Sequence, residues 1–239
     1  MNPEQLKLNF RRFELKYPLS LDQYRLIRPL VARRLSPDPF VGSAGYYQVN
    51  SLYFDTPNLN AYHQSRAGLK NRIKYRLRTY STAIPAPPYA FLEIKRKHDA
   101  TVLKDRDLLS LAQVDQLLAH QSNSQNSVIK QFTLAQTRYF LQPKILLTYR
   151  REPFVTELPE LRITFDSRMQ VTRANRFDQL TGGYYQIFPQ VVIMELKFTG
   201  SLPFWLAQLI GHYNLERQVF SKYALGIERA KSYLPWIIS

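Results

Sequence analysis

The sequence predicts an α+β protein in which antiparallel strands, covered by helices on their apolar faces, can close into a barrel. The first observation is that ionic residues recur at every second position in several segments. Six such segments start at Arg12, Arg72, Glu93, Arg150, Arg162 and Glu195. Most of the residues between the ionic ones are apolar, as expected for strands with one charged and one packed face. The second observation is that segments with helix signals lie between these strands.

The segment from 72 to 80 shows the alternation most clearly. Every even position from 72 to 78 is basic, and Ile, Tyr and Leu stand between the basic residues. The four cations are Arg72, Lys74, Arg76 and Arg78. One charged strand face is usually solvated, but repetition of the pattern in six strands favours a common charged lining.

Helix signals occur at several places between the strands. A Ser followed three residues later by Gln, the capping-box pattern, predicts helices that begin at Ser20 and Ser110. Pro29 is expected to kink or divide the first of them. A further helix is expected over 128–141. Ser201, with Pro203 in the first turn, and Ser221 are expected to begin the last two helices.

Composition and charge limit the function classes. With 239 residues, the chain fits one large domain over 1–239, or at most two small ones, and we predict the single domain. A net charge of +15 predicts a polyanionic partner: nucleic acid, an anionic membrane surface or a phosphate-rich molecule. The absence of cysteine excludes disulfides, thiolate metal sites and a cysteine nucleophile. No Gly-rich phosphate loop or dinucleotide fingerprint is present, and the four histidines are isolated.

Neither a secretory leader nor a long apolar run is visible in the sequence. We therefore expect a cytoplasmic protein without a transmembrane segment, and leave peripheral membrane contact open.

A charged lining needs counter-ions. An interior lined by unpaired cations would be strongly unfavourable unless it were wet and held a polyanion. The acids of the alternating segments are Glu14, Glu93, Asp166 and Glu195. They can pair with neighbouring Lys and Arg residues, or hold a hard divalent cation such as Mg²⁺ or Mn²⁺ that bridges phosphate oxygens. The residues alone leave both readings open.

Eight short segments, taken together and in order, resemble a known family. They are RFELKY at 12–17, SLYFD at 51–55, KYRLR at 74–78, EIKRK at 93–97, YRR at 149–151, RITFD at 162–166, ELK at 195–197 and FSKY at 220–223. They resemble the VTC (vacuolar transporter chaperone) catalytic domain, a polyphosphate polymerase of the triphosphate tunnel metalloenzyme superfamily. Each segment alone is weak, whereas eight in order over nearly the whole chain are specific.

The resemblance implies an eight-stranded antiparallel barrel that forms a tunnel, with helices packed outside. It implies that the phosphate chain is bound by Lys16, Arg76, Arg78, Lys95, Arg150, Arg162, Lys197 and Lys222. It also implies substrate contacts from Tyr149, Ser221, Lys74, Lys97 and Tyr53. For Ser221 and Lys222 the physics agrees, because a helix N-terminus attracts anions. The implied metal is Mn²⁺ or Mg²⁺, with Glu195 as principal ligand and Glu14 and Glu93 as further candidates.

Two positions depart from the pattern of the superfamily. Related hydrolases of the CYTH type usually open with Glu-x-Glu-x-Lys, and Arg12 stands in place of the first Glu. This favours the polymerase branch and reduces the number of candidate metal ligands. Val219 stands where some members carry a basic residue, which puts one phosphate contact in question.

The predicted function is metal-dependent transfer of the ATP γ-phosphoryl group to a growing inorganic polyphosphate chain. Two alternatives remain: a hydrolase of inorganic triphosphate or short polyphosphate in the same tunnel, and a non-catalytic polyphosphate-binding module. Interleaved Tyr and Arg would also suit base stacking on nucleic acid, but stacking platforms do not need acids beside the cations. We therefore predict ATP and polyphosphate, and no nucleic acid, as partners. The sequence leaves the preferred metal, the product length and the oligomeric state open.

Overall fold

The structure is a computed structural model, and it describes residues 12–81, 88–99, 101–156, 161–177 and 183–233. These residues form ten strands and six α-helices. The strands are β1 (Arg12–Ser20), β2 (Ser36–Pro37), β3 (Tyr47–Asp55), β4 (Arg72–Ser81), β5 (Tyr89–His98), β6 (Thr101–Ser110), β7 (Gln142–Val155), β8 (Leu161–Arg173), β9 (Tyr185–Gln186) and β10 (Val191–Thr199). The helices are α1 (Leu21–Ala32), α2 (Asn60–Arg66), α3 (Leu111–Leu118), α4 (Ser127–Tyr139), α5 (Phe204–His212) and α6 (Lys222–Tyr233).

The strands pair in the order β1-β10-β8-β7-β3-β4-β5-β6, with β2 on β7 and β9 on β8. Strand β10 pairs antiparallel with β1 and β8, and the consecutive strands β3 to β6 pair antiparallel with one another, as do β2 with β7 and β9 with β8. Because β2 and β9 have two residues each, eight long strands remain. The predicted α+β class with an antiparallel sheet is confirmed. In the part of the chain that the structure describes, β1 and β6 end the order without pairing with each other, so closure into a barrel stays a prediction.

The chain divides into two compact units. Unit 1 comprises Met1–Tyr46, Arg151–Ser167 and Gln190–Phe220, and unit 2 comprises Tyr47–Arg150, Arg168–Pro189 and Ser221–Ser239. That all 239 residues form one domain therefore stays a prediction.

Unit 1 is built on β1, β10 and the first part of β8. Helices α1 and α5 contribute to its apolar core, which includes Leu19, Ile27, Ile163, Leu196 and Leu206. Because strands alternate their faces, packing of the odd-numbered residues of β8 against this core leaves Arg162 and Thr164 on the other side. One apolar layer therefore fixes which face of the strands carries charge.

Unit 2 is built on the consecutive strands β3, β4, β5 and β6. Its core includes Leu52, Leu77 and Leu92 from the strands and Phe132 from α4. Helix α6 approaches β7 closely at Gly226, where an added Cβ would lie 2.8 Å from Cδ1 of Ile145. Glycine at this position therefore allows the N-terminal part of α6 to lie against the strand.

Most predicted helix starts are confirmed. Both capping boxes are present, with Ser20 before α1 and Ser110 before α3. Pro29 lies inside α1 without dividing it. The predicted start at Ser201 is wrong: α5 begins at Phe204, and Pro203 is the N-cap residue, whose carbonyl oxygen accepts from the N–H of Leu206. No helix of the described residues is long and apolar enough to cross a membrane.

Candidate functional site

In unit 2, one side of β4, β5 and β6 carries a concentration of positive charge. The strand register places Arg76 opposite Glu93, and Glu93 opposite Arg106. In the next row, Lys74, Lys95 and Lys104 lie opposite one another in turn. By alternation, the same side holds Arg72, Lys74, Arg76, Arg78, Lys95, Lys97, Lys104 and Arg106. We call this the basic face; Glu93 is the acid that these three strands contribute to it.

Glu93 is fully buried and surrounded by cations. Its carboxylate lies 2.6 Å from Nη2 of Arg76 and 2.5 Å from Nζ of Lys104. Arg106 and Arg78 follow at 3.5 and 3.9 Å. Burial alone would raise the pKa of Glu93, but Arg76, Arg78 and Lys104 outweigh it and hold the pKa well below its usual range. A carboxylate already surrounded by four basic side chains is poorly suited to bind a divalent cation as well. We therefore propose that Glu93 orients these side chains, in place of the predicted role as a metal ligand.

Tyr53 of β3 borders the basic face opposite Arg76. Nη1 of Arg76 donates a hydrogen bond of 3.0 Å to the Tyr53 hydroxyl oxygen, and the Tyr53 ring stacks on Tyr223 with centroids 5.0 Å apart. Burial raises the pKa of Tyr53, but Arg76 and Arg78 reverse this and lower it to about 8. Tyr53 can therefore ionise within a few pH units of neutrality.

The start of α6 is anchored beside the basic face. Nζ of Lys74 donates to Oγ of Ser221 at 2.8 Å, and the same Oγ accepts from the N–H of Ala224, so Ser221 caps the helix. The Lys222 ammonium group lies 5.1 Å from the centroid of the Tyr149 ring. Unit 2 therefore brings together Lys74, Ser221, Lys222 and Tyr149, and their contact with substrate stays a prediction.

Tyr223 ties α6 to β3. Its hydroxyl donates a hydrogen bond of 2.5 Å to Oδ2 of Asp55, and burial raises its pKa further above the ordinary value. Asp55 also accepts from the N–H groups of Ala61 and Tyr62 in α2. This buried carboxylate therefore fixes two helices to the end of the strand.

In unit 1, acids and bases alternate on one side of β1, β10 and β8. Lys16 lies opposite Glu195, and Glu195 lies opposite Thr164. In the neighbouring row, Glu14, Lys197 and Arg162 lie opposite one another in turn. Together with Asp166 of β8 and Arg151 of β7, these residues form the paired face.

Short ion pairs connect the residues of the paired face. Lys16 and Glu14 approach to 2.7 Å, Lys197 and Glu195 to 2.8 Å. A third pair, 2.9 Å long, joins Arg162 to Asp38, which precedes a short 3-10 turn. Unit 1 thus brings together the predicted residues Lys16, Arg162, Lys197, Glu14 and Glu195; the Arg12 side chain lies outside what the structure describes.

The arginine that joins this face from β7 is Arg151 and not the predicted Arg150. Arg151 donates two hydrogen bonds of 2.7 Å to Asp166 and lies 3.8 Å from Oε2 of Glu195. Neighbours on a strand point to opposite faces, so Arg150 points to the other side of β7. Arg150, Arg151 and Glu152 are three consecutive ionic residues, so the sequence gave no alternation from which to choose.

The donor sets of the two faces differ in their fit to a divalent cation. Glu14 and Glu195 supply hard carboxylate oxygens, and Mg²⁺ is commonly held by one or two carboxylates plus substrate phosphates. These two residues therefore fit such an ion if Lys16 and Lys197 move to the phosphate. In the described residues no group of three His, Cys, Asp or Glu side chains forms a ready-made metal cage.

Sequence reasoning missed three residues of the two faces, Lys104, Arg106 and Arg151, and also Asp38, which pairs with Arg162. A signal existed for the first two, because Lys104 and Arg106 alternate with Asp105 and Asp107 in the sequence. Burial lowers the pKa of Lys104 although Glu93 opposes this. No comparable pattern marks Asp38, which comes from an irregular segment.

The chain is similar to a known protein family and to several solved structures. The family model described as the VTC domain matches residues 11–231. A structure from Bacillus halodurans, described as a putative adenylate cyclase, has a TM-score of 0.51 and 16% identity, covering 87% of this chain and 92% of that chain. The PH1819 protein of Pyrococcus horikoshii OT3 has a TM-score of 0.49 and 14% identity, covering 91% and 99%. At 16% identity the first similarity shows the fold alone. Curated proteins gave no match.

Proposed function

We propose that this chain, which belongs to the VTC domain family, transfers the γ-phosphoryl group of ATP to a growing chain of inorganic polyphosphate. Membership of the family supports a protein that handles triphosphates or polyphosphate. The finer assignment, a metal-dependent ATP–polyphosphate phosphotransferase, is our proposal. Since ATP is the donor, we also propose that the protein acts in the cytoplasm.

The charge of the basic face is the observation that carries this proposal. On this side of β4, β5 and β6, the three strands present eight basic residues and one acid, Glu93. Cations crowded in this way repel one another, and an extended chain of phosphates would neutralise them. Arginine also binds phosphate oxygens through two parallel hydrogen bonds. An inorganic polyphosphate chain, which carries charge at every unit, matches this surface.

The reaction breaks the bond between the γ-phosphorus and the oxygen that bridges it to the β-phosphate, and ADP leaves with the electron pair. An oxygen of the terminal phosphate of the acceptor forms the new bond to phosphorus. This oxygen is already anionic at neutral pH, so no strong general base is needed. Catalysis of phosphoryl transfer is mainly positioning and electrostatic stabilisation.

The chain's own residues divide this work. We assign Arg76, Arg78 and Lys95 to phosphate oxygens, and Ser221 with Lys222 to an anion at the start of α6. Glu14 and Glu195 would hold the divalent cation, Mn²⁺ or Mg²⁺, which supplies charge neutralisation at the transferred phosphoryl group when bound. Lys16 and Lys197 are then free to bind phosphate oxygens.

The test is the product formed from ATP. Purified protein incubated with ATP and Mn²⁺ is expected to yield a long polymer, seen on a gel stained for polyphosphate, together with ADP. Orthophosphate and ADP without polymer would overturn the polymerase and support the triphosphate hydrolase. Tight binding of polyphosphate without consumption of ATP would support a binding module.

A further inference from the structure

The hydroxyl group of Thr164 has no hydrogen-bond partner, although it lies in the middle of the paired face. The residue is only 1% exposed. A buried hydroxyl without a partner is destabilising, whereas a valine of the same shape would not be. This unfavourable state points to a second arrangement of the paired face in which the hydroxyl is bonded.

The strand register identifies the acceptor for that bond. Thr164 lies directly opposite Glu195, and residues so placed have Cβ atoms about 4.5–5.5 Å apart. In the structure, Oε1 of Glu195 is 2.8 Å from Nζ of Lys197, and Oε2 is 3.8 Å from Arg151. The carboxylate that faces Thr164 is thus engaged by Lys197.

We propose that Thr164 is the positioning residue of Glu195. When a bound phosphate draws Lys197 away, the Thr164 hydroxyl donates a hydrogen bond to the released carboxylate and holds it in the orientation that binds the divalent cation. Lys197 would then bind a phosphate oxygen in place of the Glu195 carboxylate. Glu195 would bind the Thr164 hydroxyl and the metal ion in place of the Lys197 ammonium group. The inference rests on the function proposed above.

The chain offers a matched control for this hydroxyl. Thr133 also has a buried hydroxyl without a partner, but it lies on α4, whose Phe132 belongs to the apolar core of unit 2. Thr133→Val and Thr164→Val remove the same atom and add the same methyl group. The two variants therefore distinguish the effect of removing any unbonded buried hydroxyl from the effect of removing one that faces Glu195.

The experiment measures Mn²⁺ affinity, by electron paramagnetic resonance, in the presence of tripolyphosphate. Removing a residue that orients a metal ligand typically weakens metal binding by about 10–100-fold, and we expect the lower end for Thr164→Val. Thr164→Ser, which keeps the hydroxyl, should restore most of the affinity, and Thr133→Val should match the wild type. Metal-free tripolyphosphate binding should match the wild type in Thr133→Val and weaken less than Mn²⁺ binding in Thr164→Val, which loses only the hydrogen bond that forms when Lys197 moves to the phosphate. The ligand-free Thr164→Val protein should melt at the same temperature as the wild type or roughly 2–4 °C higher.

Three results would overturn the inference. Thr164→Val could bind Mn²⁺ as tightly as the wild type, or Thr164→Ser could be as weak as Thr164→Val, which would indicate a packing effect. The third is a wild-type protein that binds no Mn²⁺ with tripolyphosphate; in that case the proposed function fails as well. If Thr164→Val does not fold, the Mn²⁺ affinities of Thr164→Ser and Thr164→Ala are compared instead. Equal affinities of these two variants would overturn the inference.

Discussion

The two charged faces of the molecule use their acids in opposite ways. On the paired face of unit 1, each described base has an acid within about one ion-pair distance, as in Lys16 with Glu14 and Arg151 with Asp166. On the basic face of unit 2, the single carboxylate of Glu93 serves several cations at once. The first arrangement is close to neutral, and the second keeps a large excess of positive charge.

This difference suggests a division of labour. A face with excess positive charge needs an anion to complete it, whereas a face of alternating pairs can exchange partners without a large change in net charge. We therefore assign the hold on the phosphate chain to the basic face, and the metal-binding carboxylates to the paired face. Substitutions of equivalent residues in the two units should then have different consequences.

The largest effect is expected from removal of the shared counter-ion. Glu93→Gln leaves Arg76, Arg78 and Lys104 around a neutral amide, and the loss of one partner of a buried charge pair typically destabilises by about 3–5 kcal/mol. Glu14→Gln is the matched change on the paired face, where the carboxylate is about one-third exposed. It should lower the free energy of unfolding by about 0–1 kcal/mol. Urea unfolding measures the free energy of unfolding of both variants. Equal decreases would contradict the proposed difference between the two faces.

The next effect concerns turnover. Glu195→Gln keeps the shape of the side chain and removes the charge that binds the metal, so we expect Mn²⁺-dependent kcat to fall by about 10²–10³-fold, as for the loss of one electrostatic contact to a transition state. Tripolyphosphate binding without metal should persist. Steady-state assays over a range of Mn²⁺ concentrations provide the measurement. An unchanged dependence on Mn²⁺ would show that the metal is held elsewhere.

A smaller effect is expected from loss of one cation of the basic face. Lys95→Met should raise the Kd for tripolyphosphate by about tenfold, because a hydrogen bond to a charged group contributes about 1.5–3 kcal/mol. Lys130→Met, on the exposed side of α4, is the control and should leave the Kd unchanged. Calorimetric titration at two salt concentrations should also show a weaker salt dependence for Lys95→Met. A similar Kd for both variants would argue that charge at a distance, and not the face itself, binds the ligand.

The smallest effect is a pH dependence. Since Arg76 and Arg78 lower the pKa of Tyr53 to about 8, the phenol is neutral below that pH and becomes a phenolate above it. The phenolate adds negative charge beside the phosphate site, so tripolyphosphate affinity should fall by a few-fold as pH rises through about 8. Tyr53→Phe keeps the ring that stacks on Tyr223 and should remove this inflection. Fluorescence titrations between pH 6.5 and 9.5 are sufficient; persistence of the inflection in the variant would assign it to another group.

The sequence predicted the strands of both faces well where alternation is sharp. Arg76, Arg78 and Lys95 lie together because ionic and apolar residues alternate from Arg72 to Arg78 in β4 and from Leu92 to Lys95 in β5. Alternation failed at Arg151, because Arg150, Arg151 and Glu152 are three consecutive ionic residues and leave no period-2 pattern in the sequence. In the sequence, the even-numbered polar series that starts at Arg162 continues to Arg168. Its positive φ of 51° departs from strand geometry and breaks the alternation.

Pairing of an acid with a base two residues away, as in Glu14 with Lys16, was within reach of the sequence, but pairing between strands was not. The sequence places Glu93 on a basic strand face but does not show that Lys104 and Arg106, on a strand that was not predicted, share its carboxylate. Nor does any pattern connect Arg162 to Asp38, since their contact depends on how an irregular segment returns to the sheet. Unbonded groups such as the Thr164 hydroxyl are likewise visible only when all neighbours are in place.

The position of Glu93 within a run of consecutive strands has a consequence for folding during synthesis. Strands β3 to β6 pair with their neighbours in sequence, so they can form soon after residue 110 is made. The pairing of β1 with β10 must wait until residue 199 has been made. The nascent sheet would therefore bring Arg76, Arg78, Lys104 and Arg106 together long before the rest of the chain exists. Because Glu93 belongs to the same hairpins, the intermediate carries its own counter-ion and does not depend on a phosphate ligand to fold.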